Sequence, residues 1–171
     1  LDFHDEAACE LASSCLLRAH RIDKREGRTP PIAYMCVYID GSVRGGRTDW
    51  LAAPTWAIWI GVDHPLNSSG RVPGAHASSF RSESYALMQA IRRTRLNAHF
   101  FCDNKAVVDL FQKVVNRDID VDHIERLDDA DIWCAIWRLT DAKVIAEQPE
   151  AEQEEVADHW FRITWIPSHT L

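Results

Sequence analysis

The chain has 171 residues, 46% of them apolar and seven of them tryptophan, enough for one well-buried core and too apolar for a disordered segment. Its 26 acidic residues against 19 basic leave a formal charge of −7, which argues against a protein that grips nucleic acid by bulk electrostatics alone, while basic residues gathered in "VRGGR" and "AIRRTR" leave a locally basic face open. No apolar run approaches the roughly 20 residues that cross a bilayer and no signal peptide opens the sequence, so an intracellular protein is expected, in cytoplasm or nucleus, with no membrane partner.

Residues 1 to about 30 form an expected extension. "DFHDEAACELASSCLLRAHRI" spaces alanine, leucine and cysteine as a helix does, with an acidic first turn and a basic end. "DKREGRTPP" breaks the pattern at Pro30 and Pro31. From residue 31 the chain reads as one further domain. "IAYMCVYID" is a β-branched and aromatic strand, "APTWAIWIGV" a second and "VPGAHASS" a third, with "DHPLNSSGR" as turn chemistry between the second and third. Trp56 and Trp59 fall on opposite faces of the second strand, so at least one needs helix cover. "FRSESYALMQAIRRTR" follows as a helix, "AHFFCDN" as a short buried strand and "KAVVDLFQKVV" as an amphipathic helix. "DDADIWCAIWRLTDAKV" is a further helix, the acidic "AEQPEAEQEEVADH" a solvated loop or helix end, and "WFRITWIPSHT" a last strand running into a loop. Three sequential strands favour an antiparallel meander, and the later strand–helix alternation favours parallel additions to its edge. The expected fold class is α/β (α+β), a mixed five-stranded sheet with helices on both faces.

Five cysteines, Cys9, Cys15, Cys36, Cys102 and Cys134, are odd in number and lack CxxC spacing, against a disulfide scaffold or a structural zinc site. In the apolar runs around Cys36 and Cys102, a reduced thiol acts as a small hydrophobe.

Three carboxylates stand where bland composition does not put them. Asp40 closes the first strand, Glu83 lies in the first turn of the following helix, and Asp103 closes "AHFFCD". Each has a plainer reading alone: Asp40 before Gly41 and Ser42 as a turn residue, Glu83 as a helix-start acid, Asp103–Asn104 as a helix N-cap. Together they sit at matching ends of different elements, and parallel neighbours end on the same side of a sheet. Such carboxylates repel unless a cation lies between them, and hard oxygen ligands suit Mg²⁺ or Mn²⁺.

"YIDGS", "SSFRSESYALMQAI", "FFCDNKAVVDLF" and "WIPSHT" resemble, in order, the four motifs of type 1 ribonuclease H domains, of the kind attached to retroelement reverse transcriptases. The resemblance covers roughly residues 32 to 171. It implies a retrotransposon-type hydrolase, an endonuclease that cuts the RNA strand of an RNA–DNA hybrid. Asp40, Glu83 and Asp103 then bind two Mg²⁺ ions, with Mn²⁺ as the substitute. It also implies an auxiliary role for His169 in the loop after the last strand, and a reverse transcriptase domain of the same polyprotein as partner.

The family's fourth carboxylate, an Asp on the helix after the His loop, would lie beyond Leu171: either the chain, which opens on Leu1 rather than Met and reads as a piece of something longer, stops before it or the protein lacks it. Where many members carry a basic protrusion that holds the hybrid, this sequence has the acidic "NRDIDVDHIERLDDAD". Candidate substrate contacts are Gly41, Ser42, Arg44, Gly45, Gly46 and Arg47 after the first strand, then Ser79, Arg81, Ser82 and Asn104. Glycine admits a backbone closely and arginine pairs with phosphate; a plain flexible loop fits the first group as well. The rival reading is a non-catalytic connector or binding module of the same fold. An integrase-like or exonuclease relative fits the carboxylate order poorly, because Asp40 is followed by Gly-Ser and the glutamate comes early.

Overall fold

The computed structural model describes residues 34–44, 53–74, 76–94, 98–147 and 161–167. The chain divides between Ala33 and Tyr34. The described residues all belong to the second part, and the expected N-terminal helix and proline linker lie outside them.

Five strands form one mixed sheet in the order β3-β2-β1-β4-β5. They are β1 (Met35–Arg44), β2 (Ala53–Trp59), β3 (Ser68–Arg71), β4 (Ala98–Cys102) and β5 (Phe161–Trp165). The first three run antiparallel, with Tyr38 opposite Trp59 and Thr55 opposite Arg71. β4 pairs parallel to β1, from Met35–Ala98 to Tyr38–Phe101, and β5 pairs parallel to β4. The expected mixed sheet is therefore present, three antiparallel strands with two parallel additions.

Two strands differ from expectation. β1 does not stop at Asp40 but continues through Arg44, because Gly41 to Arg44 pair with Trp56 to Ala53. The third strand is Ser68–Arg71, in the stretch expected as a turn, and "VPGAHASS" is instead the entry to a helix, with Gly74 at φ +103°. "SSGR" has turn composition, yet β2 supplies its hydrogen-bond ladder and the Trp56 indole lies against Gly70, where a Cβ would stand 3.1 Å from Nε1. The connection is closed by Asn67, whose side chain accepts from the Ile60 N–H at 2.8 Å and donates to the Gly61 carbonyl at 2.6 Å.

Four helices are described: α1 (Ser79–Arg93), α2 (Lys105–Val115), α3 (Val121–Ile124) and α4 (Ala130–Glu147). Ser78 caps α1, its hydroxyl accepting from the Arg81 N–H at 3.0 Å, and Arg92 and Arg93 suit the negative end of the dipole. α3 is a single turn inside the acidic stretch, capped by Asp120, and was not foreseen. α1 and α2 lie on the sheet face of Val37, Ile39, Trp56, Phe100, Phe161 and Ile163, all buried. There Phe100, Phe111 and Phe161 form an aromatic cluster with centroids 5.9–6.4 Å apart, and α4 adds Trp133, stacked on Phe80 of α1.

Helices on both faces were expected; among the described residues they occupy this one. The opposite face carries Tyr38 between Trp59, tilted at 5.3 Å, and Phe101, stacked at 5.0 Å. Trp56 and Trp59 do fall on opposite faces, and Trp56 takes the helix cover, tilted on Tyr85 of α1 at 6.0 Å. On the same face as Trp59, burial and the nearby Arg162 charge depress the His99 imidazole to about 4, so it is neutral where it stacks on Phe101.

Candidate metal centre

The register explains why carboxylates meet at one place. β1 pairs with β4 only as far as Tyr38–Phe101; past that point β1 runs on with β2 alone. Two residues beyond that last pair stand Asp40 on β1 and Asp103 just after β4, so the carboxylates belong to the notch where β4 leaves β1. β5 holds the far side of the notch: the Ile166 N–H donates to the Cys102 carbonyl at 2.9 Å, and the Trp165 indole N–H to the Asp103 carbonyl at 2.9 Å.

α1 brings Glu83. Its backbone presses directly on Gly41, where a Cβ would lie 2.4 Å from the Glu83 nitrogen and 2.5 Å from the Ser82 carbonyl carbon. Only glycine allows that approach. Glu83 is the fifth residue of α1 and so sits in its second turn, where no helix-start preference accounts for it. It is 2% exposed. Burial, then the Asp103 and Asp40 charges, push its carboxyl up to about 9, against the opposing pull of a hydrogen bond from the Gly41 N–H. Without a cation, the buried carboxyl therefore holds its proton at neutral pH.

Ligand atoms of Glu83, Cys102 and Asp103 all lie within 4.8 Å of one another, a group that can hold a metal ion. Cys102 was expected only as a core hydrophobe. It is fully buried and unpaired in any disulfide, and its Sγ stands 3.7 Å from Glu83 Oε2. Burial first, then the Glu83 charge, push its thiol up. The signal that could have found it is its place in "FFCDN", immediately before the carboxylate at the strand end. Asp40, half-buried, stands outside the tight group and acts on Glu83 through its charge.

The remaining candidates divide. Ser42 is exposed, its hydroxyl 2.8 Å from that of Thr55 and its carbonyl 3.5 Å from the Ser82 hydroxyl, which is buried. Gly41, Ser42 and Arg44 are strand residues rather than loop residues. Gly45, Gly46, Arg47 and His169 lie outside the described residues. Ser79 is exposed in the first turn of α1. Asn104 caps α2, accepting from the Ala106 and Val107 N–H groups at 3.1 and 3.4 Å; the cap is thus Asn104, which leaves the Asp103 carboxylate to the notch.

Arg81 departs furthest from its expected role as a phosphate contact. Its guanidinium is buried and donates to Asp129 at 2.8 Å, to both oxygens of Asp131 at 2.9 and 2.7 Å, and to the Pro73 carbonyl at 3.2 Å. Those bonds tie the start of α1 to the start of α4 and to the entry loop, and they hold the Asp131 carboxyl below its usual range. No protein-family model matches the chain, and no curated protein matches it.

Proposed function

We propose that the chain is a divalent-cation-dependent endonuclease of the ribonuclease H type, cutting the RNA strand of an RNA–DNA hybrid. The observation that supports this most is the gathering of Asp40, Glu83 and Asp103 from two strands and a helix at one notch, in the order of the family's motifs. The Glu83 carboxyl, kept protonated by burial first and by its acidic neighbours second, supports a site whose charge is meant for a cation. The donors fit: carboxylate oxygens suit Mg²⁺ or Mn²⁺, and Asp40, Glu83 and Asp103 would hold the ions. When bound, such ions activate a water and stabilise the leaving oxygen of a phosphodiester.

The chain's own residues do the positioning. The Gly41 N–H and the α1 backbone fix Glu83, Trp165 fixes the backbone of Asp103, and Asn104 anchors α2 behind it. Ser42, exposed beside the notch, is the described residue best placed to meet a sugar-phosphate backbone; a ribose 2′-hydroxyl is what separates RNA from DNA there. His169 completes the proposed set.

The test is a hybrid labelled on each strand, incubated with the chain and Mg²⁺ or Mn²⁺, with a reverse transcriptase domain supplied. The RNA strand alone is expected to be cut, and Asp103→Asn to lower the rate by about a hundredfold or more, the scale on which charge stabilisers at a reacting centre act. An intact RNA strand with the parent chain under all these conditions leaves the non-catalytic module as the better reading.

A further inference from the structure

Magnesium has little use for sulfur, yet a cysteine is the third member of the tight donor group. We propose that Cys102 makes this notch a site for thiophilic divalent cations, Zn²⁺ or Cd²⁺, bound by the Cys102 sulfur with Glu83 and Asp103. Such an ion occupies carboxylates that the hard cation needs and so inhibits the nuclease. The inhibition rests on the proposed function; the binding does not.

The geometry carries the inference. Tetrahedral zinc with a sulfur at about 2.3 Å and a carboxylate oxygen at about 2.1 Å places those two ligands about 3.6 Å apart. Cys102 Sγ and Glu83 Oε2 are 3.7 Å apart, and the Asp103 carboxylate lies within 4.8 Å of both. Asp103 is the least buried of the three.

The surroundings are those of a ligand rather than of core filler. A side chain needed only for volume makes no polar contacts. The Cys102 thiol donates to Glu83 Oε2 at 3.7 Å, and its sulfur receives the Asn104 N–H at 3.4 Å, a contact that stabilises negative charge on sulfur. Cys36 and Cys134, the other described cysteines, belong to no such donor group. Binding through sulfur and the Glu83 carboxylate replaces an S–H and an O–H bond with bonds to the metal and releases two protons to solvent, so no oxidant or other reactant is required.

Cadmium is the probe, because a cadmium–thiolate bond has its own ultraviolet charge-transfer band. Titration of the full chain with Cd²⁺ is expected to raise that band, and Cys102→Ser to remove it and weaken Cd²⁺ binding by about tenfold or more, a size typical of losing a group that supports a metal site. Cd²⁺ is also expected to stop Mg²⁺-dependent hybrid cleavage by the parent at lower concentration than by Cys102→Ser. Equal Cd²⁺ affinity with and without the thiol overturns the proposal. Should Cys102→Ser not fold, an anomalous-scattering map of parent crystals grown with Cd²⁺ decides: an ion bonded to Cys102 Sγ supports the proposal, and one bonded elsewhere overturns it. A chain that binds Cd²⁺ through Cys102 yet cuts no hybrid removes the nuclease reading alone. One that cuts hybrid and binds Cd²⁺ without using the thiol removes this inference alone.

Discussion

Glu83 gives the residue scale its clearest consequence. Its folded-state carboxyl is raised to about 9 from an ordinary value of 4.5. Below 4.5 both folded and unfolded forms hold the proton and there is no effect. Between 4.5 and about 9 the unfolded chain releases a proton that the folded chain keeps, so the folded state loses stability as pH rises. The metal-free parent, in chelator, should therefore lose stability relative to Glu83→Gln across that window, by at most roughly 1.4 kcal/mol per pH unit. Urea denaturation of both chains at pH 5 and pH 8 measures it, and parallel pH profiles would show that Glu83 is not forced to stay protonated. At this scale the sequence was partly legible. Asp40, Glu83 and Asp103 were visible as carboxylates at element ends. Cys102 was not, because a thiol inside "AHFFC" has the same pattern as any buried small side chain. Which of Asp103 and Asn104 caps α2 also needed the structure, since both types cap well.

Among the elements, α1 brings Glu83 to the site, and its placement depends on two contacts of opposite kind: a bare backbone approach at Gly41 and a buried ion network at Arg81. Asp129 is 2% exposed while Asp131 is largely in water, so the two carboxylates should differ sharply in consequence. Arg81→Ala leaves Asp129 buried without its cation and should cost about 3–5 kcal/mol. Asp131→Asn removes a solvent-screened partner and should cost less than about 1 kcal/mol. Thermal or urea unfolding distinguishes them; equal losses would mean that Asp131, not Asp129, anchors α1. Arg81 was legible only as an arginine near a candidate site, because its partners lie 48 and 50 residues away in sequence. The helices α2 and α4 were readable from their spacing of apolar residues. β3 was not, since its four residues take their ladder from β2 and have little strand propensity of their own.

For the whole molecule, the topology is what turns scattered acids into a site. A parallel β4 beside β1 brings Asp103, just past the end of β4, level with Asp40 inside β1, and the glycine contact sets α1 across them. Most of that order of elements was legible, because the apolar runs of β1 and β2 and the later strand–helix alternation leave few ways to build one sheet, although the third strand was expected in the wrong stretch. The chain is acidic overall, −7, so a cation at the notch would also offset the repulsion that a phosphate backbone meets there. As proposed, the notch binds a hard divalent cation through its carboxylates. Mn²⁺ binding followed by electron paramagnetic resonance tests it without any substrate. The parent should bind Mn²⁺ at the notch and release it to excess Mg²⁺, while Asp103→Asn, folded as judged by circular dichroism, should bind it about tenfold more weakly or worse. Mn²⁺ affinity unchanged by Asp103→Asn would contradict the account.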